Sequence, residues 1–247
     1  MSKTIIATTM TTATNTRGLG SPIPYFLAAI CCTILESFPA FDQLAQQPFF
    51  RHGTWLISRS FHDSHKLLLY TGPKIFIICT GVAFLIMLLM AFLVPSCKEC
   101  LREWRKPAFL MIFSLALIPL IVSIFKAASG VYSPVALLPY GGTHQHIGFF
   151  GQLYAYGAIA GGRSFPAGHA SGGFALMSLY FMPVRYTLKK PLLGLGLLAG
   201  WGMGLYQMAR GEHFISHTLT TMFLALTVIA MLERIIFPEN KLSRIMV

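Results

Sequence analysis

Two long apolar runs, Lys74 to Val94 and Pro107 to Phe125, constrain this chain more than any other feature. Each holds about 19–21 residues with little interruption. At roughly 1.5 Å of rise per residue, each covers the hydrocarbon core of a bilayer, about 30 Å thick. A backbone in lipid must satisfy its own polar groups, so such runs are helices. Shorter or more interrupted apolar stretches lie at Ile23–Phe38 (extendable towards Phe41), Gly168–Met182, Pro191–Met208 and Phe214–Phe237. Taken together they predict an all-α integral membrane bundle of about six helices. Residues 1–21 are expected to be a polar cytoplasmic tail, not a cleaved leader, and 22–247 a single membrane domain. The mixed stretch from Asp42 to Thr71 suits a segment lying at the interface.

Composition matters here for its charge. The chain carries 19 basic and 8 acidic residues, a net +11, with 55% hydrophobic residues. In a soluble protein that balance would suggest nucleic acid, but the apolar excess excludes a nucleic-acid partner. The basic residues instead report orientation. Lys98, Arg102, Arg105 and Lys106 follow the second span, Arg185, Lys189 and Lys190 follow the fourth, and Arg234, Lys241 and Arg244 close the chain. Six spans put all three clusters on one side, so both termini are expected in the cytoplasm. All eight histidines (His52, His62, His65, His144, His146, His169, His213, His217) then fall on the outer side or at outer helix ends. Gly196, Gly200 and Gly204 form a small-residue stripe of the kind that lets membrane helices approach closely. Cys97 and Cys100 form a lone C-x-x-C without the further ligands a zinc site needs.

Three segments at outer helix ends carry chemistry: Lys126 to Pro134, Arg163 to His169, and Gln207 to His217. Together they make an anion site. Gly168 and His169 begin a helix, whose free N–H groups and positive dipole end favour a phosphate. Lys126 adds a full charge. His213 and His217, four apart, share a helix face. Two imidazoles near a bound phosphate can act as nucleophile and acid.

These segments resemble the signature of the type 2 phosphatidic acid phosphatase superfamily: Lys-x6-Arg-Pro, then Pro-Ser-Gly-His, then Ser-Arg-x5-His-x3-Asp. Lys126 and Pro134 match the first motif, with Ser133 in place of Arg. Pro166, Gly168 and His169 match the second, with Ala167 in place of Ser. His213 matches the third, with Gln207 at the Arg position and His217 at the Asp position. The resemblance implies that His213 is the nucleophile forming a phosphohistidine and His169 the general acid. It also implies that Lys126 and the Gly168 backbone, beside Ala167, hold the phosphoryl oxygens. Arg163 and Arg210 stand near the positions of the missing arginines, and His217 or Glu212 stands in for the orienting Asp.

The implied activity is a cofactor-free, metal-independent phosphatase acting on a membrane lipid phosphate or diphosphate. Its substrate would be of the lipid A, undecaprenyl diphosphate or phosphatidylglycerol phosphate type, met at the outer face of a bacterial inner membrane. The alternatives are a lipid phosphotransferase on the same site, a non-catalytic lipid-binding relative, and a metal-dependent hydrolase using His144, His146, His213 and His217. The sequence leaves the oligomeric state open.

Overall fold

The computed structural model describes residues 18–57, 67, 71–155 and 161–238. The readings made above on the tail before Gly18, on His62 and His65, and on Lys241 and Arg244 fall outside them. Eight α-helices are described: α1 (Pro22–Glu36), α2 (Pro39–Gln46), α3 (Gly72–Leu93), α4 (Arg105–Ser129), α5 (Phe149–Ala155), α6 (Gly168–Ala175), α7 (Tyr186–Ala209) and α8 (Ile215–Ile236). A two-stranded hairpin pairs β1 (Phe50–Arg51) with β2 (Thr54–Trp55).

Four helical segments among the described residues are long and apolar enough to cross a membrane: Gly72–Leu93, Arg102–Ser129, Tyr186–Ala209 and Ile215–Ile236. Phe76, Ile78, Leu85, Leu89 and Leu93 of α3 are all exposed. So large an outward apolar face is costly in water but native to lipid. This is a helical membrane protein.

The expected first span does not run straight. After Glu36 the chain bends by 87° into α2, and the two helices count as a span only if taken together. The cause is local: Pro39 opens α2 without an N–H to donate, and it holds Phe38 extended (φ −107°, ψ 97°). The expected fourth span is likewise shorter than a bilayer crossing. It is α6 followed by a 3₁₀ stretch, Leu176–Phe181.

That short element is the centre of the bundle. Phe174, Ala175 and Met177 are fully buried against Leu110 and Ile118 of α4 and Ala225 and Ile229 of α8. The glycine stripe of α7 explains how it fits. A β-carbon at Gly196 would strike the Met177 backbone, one at Gly200 the Phe174 ring, and one at Gly204 the Thr218 side chain. The stripe therefore lets α7 close on both α6 and α8, as its spacing predicts. At one end of the bundle the hairpin folds over the α7–α8 connection. The Ile57 N–H donates to the Ala209 carbonyl (3.0 Å), and the Trp55 ring covers Gly211, whose φ is +71°.

Candidate active site

Lys126 sits in the last turn of α4, which Gly130 ends by adopting a left-handed conformation (φ +63°). The chain then meets the segment before α6: Gly130 bridges Gly162, and the Ser164 N–H donates to the Val131 carbonyl (2.9 Å). A β-carbon at Gly162 would run into the Gly130–Val131 backbone, so glycine is required for this approach. The approach places the end of α4 beside the start of α6. The Lys126 ammonium lies against Gly168, where an added β-carbon would be 3.8 Å from Nζ.

Between these helix ends lies a cavity of about 190 Å³, lined among others by Lys126, Arg163, Ser164, His169, Glu212 and His213. Residues from all three sequence segments therefore converge. The charges of Lys126, Arg210 and Lys74 act on His169, and Glu212 acts on Lys126. Lys74, at the start of α3, is a cation the motif reading missed because it lies in none of the three segments. The α6 N–H groups of the first turn have no intrahelical partner and add their dipole to this field.

The two histidines are arranged as a pair. His169 Nδ1 faces His213 Nε2 at 3.5 Å. On the far side of His213, Nδ1 meets Ser164 Oγ at 3.2 Å. Ser164 spends its single hydroxyl proton on the Glu212 carbonyl at 2.5 Å, so Oγ must accept from His213. This network assigns the proton of His213 to Nδ1 and leaves the Nε2 lone pair facing His169. Complete burial, then His217, His169 and Lys126 in order, hold the His213 pKa well below its ordinary value. The ring is therefore neutral at pH 7.

Several expected site residues lie elsewhere. His217 makes no hydrogen bond of its own to His213: its Nδ1 meets the Ser164 carbonyl (3.1 Å), and Ser164 makes the contact to His213. Ala167 is fully buried and gives its N–H to the His217 carbonyl (3.3 Å), so that N–H is not free to hold phosphate. Gln207 is buried in α7. Arg163 lines the cavity, whereas the Arg210 guanidinium lies over the Tyr206 ring at 5.6 Å. The alternative metal-ligand set is split up: His144 stacks on Tyr132 (3.9 Å), and His146 faces Glu36. Among the described residues no three His, Cys, Asp or Glu side chains are gathered to hold a metal ion.

This helical membrane scaffold, with a histidine pair above a cationic cavity, is that of a phosphate-handling enzyme. The model of the PAP2 superfamily matches residues 107–241, and the chain belongs to that family. The matched range takes in Lys126, Pro134, Pro166, Gly168, His169 and His213, the positions on which the resemblance rested. Membership supports phosphatase activity on phosphate esters. No curated protein and no solved structure matches the chain significantly.

Proposed function

We propose that the protein removes phosphate from a membrane lipid phosphate or diphosphate through a phosphohistidine on His213. The observation that carries this reading is the His169–His213 pair, with the lone pair of Nε2 turned away from Ser164 and towards the cavity wall. Nε2 attacks phosphorus as the bond to the leaving oxygen breaks, and His169 gives that oxygen its proton. Water then attacks phosphorus as the N–P bond breaks and its electron pair returns to Nε2, with His169 taking the water's proton, so that inorganic phosphate and free His213 result. Lys126, Arg163 and the first-turn N–H groups of α6 hold the phosphoryl oxygens as charge builds.

A lipid substrate is favoured because the cavity opens at the ends of helices whose apolar faces are exposed. We read the bent α1–α2 pair and the short α6 as two further membrane-embedded elements. That gives six passes, both termini in the cytoplasm and the site on the outer face of a bacterial inner membrane. Phosphate release from a panel of phosphatidic acid, phosphatidylglycerol phosphate and undecaprenyl diphosphate tests the activity. Turnover that persists in chelator and disappears in His213→Ala is the expected result; no release from any lipid phosphate contradicts it. For orientation, Arg102→Cys in a cysteine-free background should react only after the membrane is opened. Labelling of that position in intact cells would overturn the topology.

A further inference from the structure

Behind the Ser164 segment lies a second polar cluster that the reaction above does not use. Glu36, at the end of α1, and His217, in the first turn of α8, are fully buried, and the His146 side chain is 10% exposed. Glu36 Oε1 stands 3.8 Å from His146 Nε2 and 4.0 Å from His217 Nε2. None of these three atoms has another hydrogen-bond partner. Glu36 is anchored by its other oxygen, which accepts the Phe149 N–H at 2.6 Å. A buried carboxylate oxygen facing two imidazole lone pairs would be strongly unfavourable, so the cluster takes up a proton, although at 3.8 and 4.0 Å neither pair is within hydrogen-bond reach.

We propose that Glu36 is a positioning residue for the nucleophile, acting through His217 and Ser164, and that it supplies the carboxylate missing from the third motif. The inference rests on the assignment of His213 as nucleophile. The contacts run from a 4.0 Å approach of Glu36 to His217, beyond hydrogen-bond reach, into hydrogen bonds through Ser164. Nδ1–H of His217 donates to the Ser164 carbonyl (3.1 Å), while its Nε2 faces Glu36 Oε1 at 4.0 Å. The Ser164 hydroxyl, fixed by the Glu212 carbonyl, receives Nδ1–H of His213 (3.2 Å). In the motif an Asp four residues after the nucleophile does this job from the same helix. Here His217 fills that position, and the carboxyl group comes from α1. The bend after Glu36 is what brings the carboxylate to the base of α8, where Asp42 of α2 also holds Ser216 through its N–H (3.1 Å) and hydroxyl (2.6 Å).

The test is a substitution cycle on full-length protein in detergent, with dioctanoyl phosphatidic acid as the probe and ¹⁵N-histidine spectra as a readout independent of turnover. Glu36→Gln keeps shape and removes the titratable carboxyl. It should lower kcat about tenfold with little change in KM, the lower end of the cost of losing a partner that orients a ligating imidazole. It should also mix the His213 tautomers in the spectrum, where wild type shows Nδ1–H alone. His217→Asp alone sets two carboxylates face to face and should be worse than Glu36→Gln. The double variant, with one carboxylate again, should recover at least tenfold over His217→Asp. If Glu36→Gln folds poorly, Glu36→Asp serves, with the same spectrum and a kcat above that of Glu36→Ala. A Glu36→Gln enzyme with wild-type kcat and an unchanged His213 tautomer, or a double variant no better than His217→Asp, overturns the inference. Wild type that hydrolyses no phosphate ester sinks the phosphatase reading itself, whereas active wild type with indifferent Glu36 variants sinks only the positioning role.

Discussion

Two clusters of titratable groups lie on either side of Ser164, and they are built on opposite plans. His169, His213 and Lys126 face a cavity, so their polar atoms point at a place where a ligand can sit. Glu36, His146 and His217 face one another with no opening between them. The first plan spends polar groups on an incoming charge and the second on fixing Ser164, and through it the His213 ring. Ser164 joins them, because its carbonyl belongs to the buried cluster and its hydroxyl to the open one. The lesson is that a histidine at motif spacing is not thereby at the reacting centre. His213 and His217 are four residues apart, but His213 precedes α8 while His217 lies in its first turn, so the expected shared helix face is absent and only His213 lines the cavity.

The comparison can be broken first at the open cluster, where effects should be largest. His213→Ala is expected to bring phosphate release down to background. His169→Ala should lower kcat by roughly 10²–10⁴-fold, the range for removing a general acid. A leaving group that needs no proton, such as p-nitrophenol, should lessen that loss, and an equal loss on both substrates would deny His169 its role. Lys126→Ala should cost about ten- to a hundredfold in kcat/KM, more than Arg163→Ala or Arg210→Ala singly, since a charge-assisted contact is worth about 1.5–3 kcal/mol. A larger loss from either arginine would move the phosphate cradle away from Gly168. Ser164→Ala should cost least, about tenfold in kcat, because the ring stays packed but its tautomer is no longer fixed.

Acidity offers a finer cut. The His213 pKa is held below its ordinary value, so the folded protein resists protonation there while the unfolded chain takes up the proton near pH 6.5. The unfolded state binds more protons in that window, so stability is full above about pH 6.5 and falls as pH drops. Turnover should outlast the ordinary histidine range, since the nucleophile stays neutral below it. Melting temperatures between pH 7 and 5 should decline less steeply in His213→Ala than in wild type, and parallel slopes would argue against a buried neutral imidazole.

Much of the fold was legible because lipid imposes simple rules: long apolar runs, clustered basic residues and a glycine stripe all have direct physical readings. The bend after Glu36 and the shortness of α6 were not. Apolar composition alone does not separate a crossing helix from one that turns at Pro39 or tightens into a 3₁₀ stretch at Leu176. In the site, motif spacing singled out Lys126, His169 and His213, and all three line one cavity. Ser164 was passed over although it lies inside a named segment, since a serine's single proton gains meaning only when its acceptor, the Glu212 carbonyl, is known. Glu36 lies far from every motif, and its signal was chemical: an acidic residue inside an apolar run, in a chain with only eight acids, needs a buried partner.

The most direct measurement of the central claim is to trap the phosphoenzyme. Wild type and the His213→Ala, His169→Ala and His217→Ala variants would be mixed with ³²P-labelled lipid phosphate, quenched in alkali and digested. The account predicts an acid-labile, alkali-stable label on the peptide containing His213 in wild type. The same label should form slowly in His169→Ala and His217→Ala, and not at all in His213→Ala. A labelled enzyme that persists in His213→Ala and vanishes in His217→Ala would contradict it.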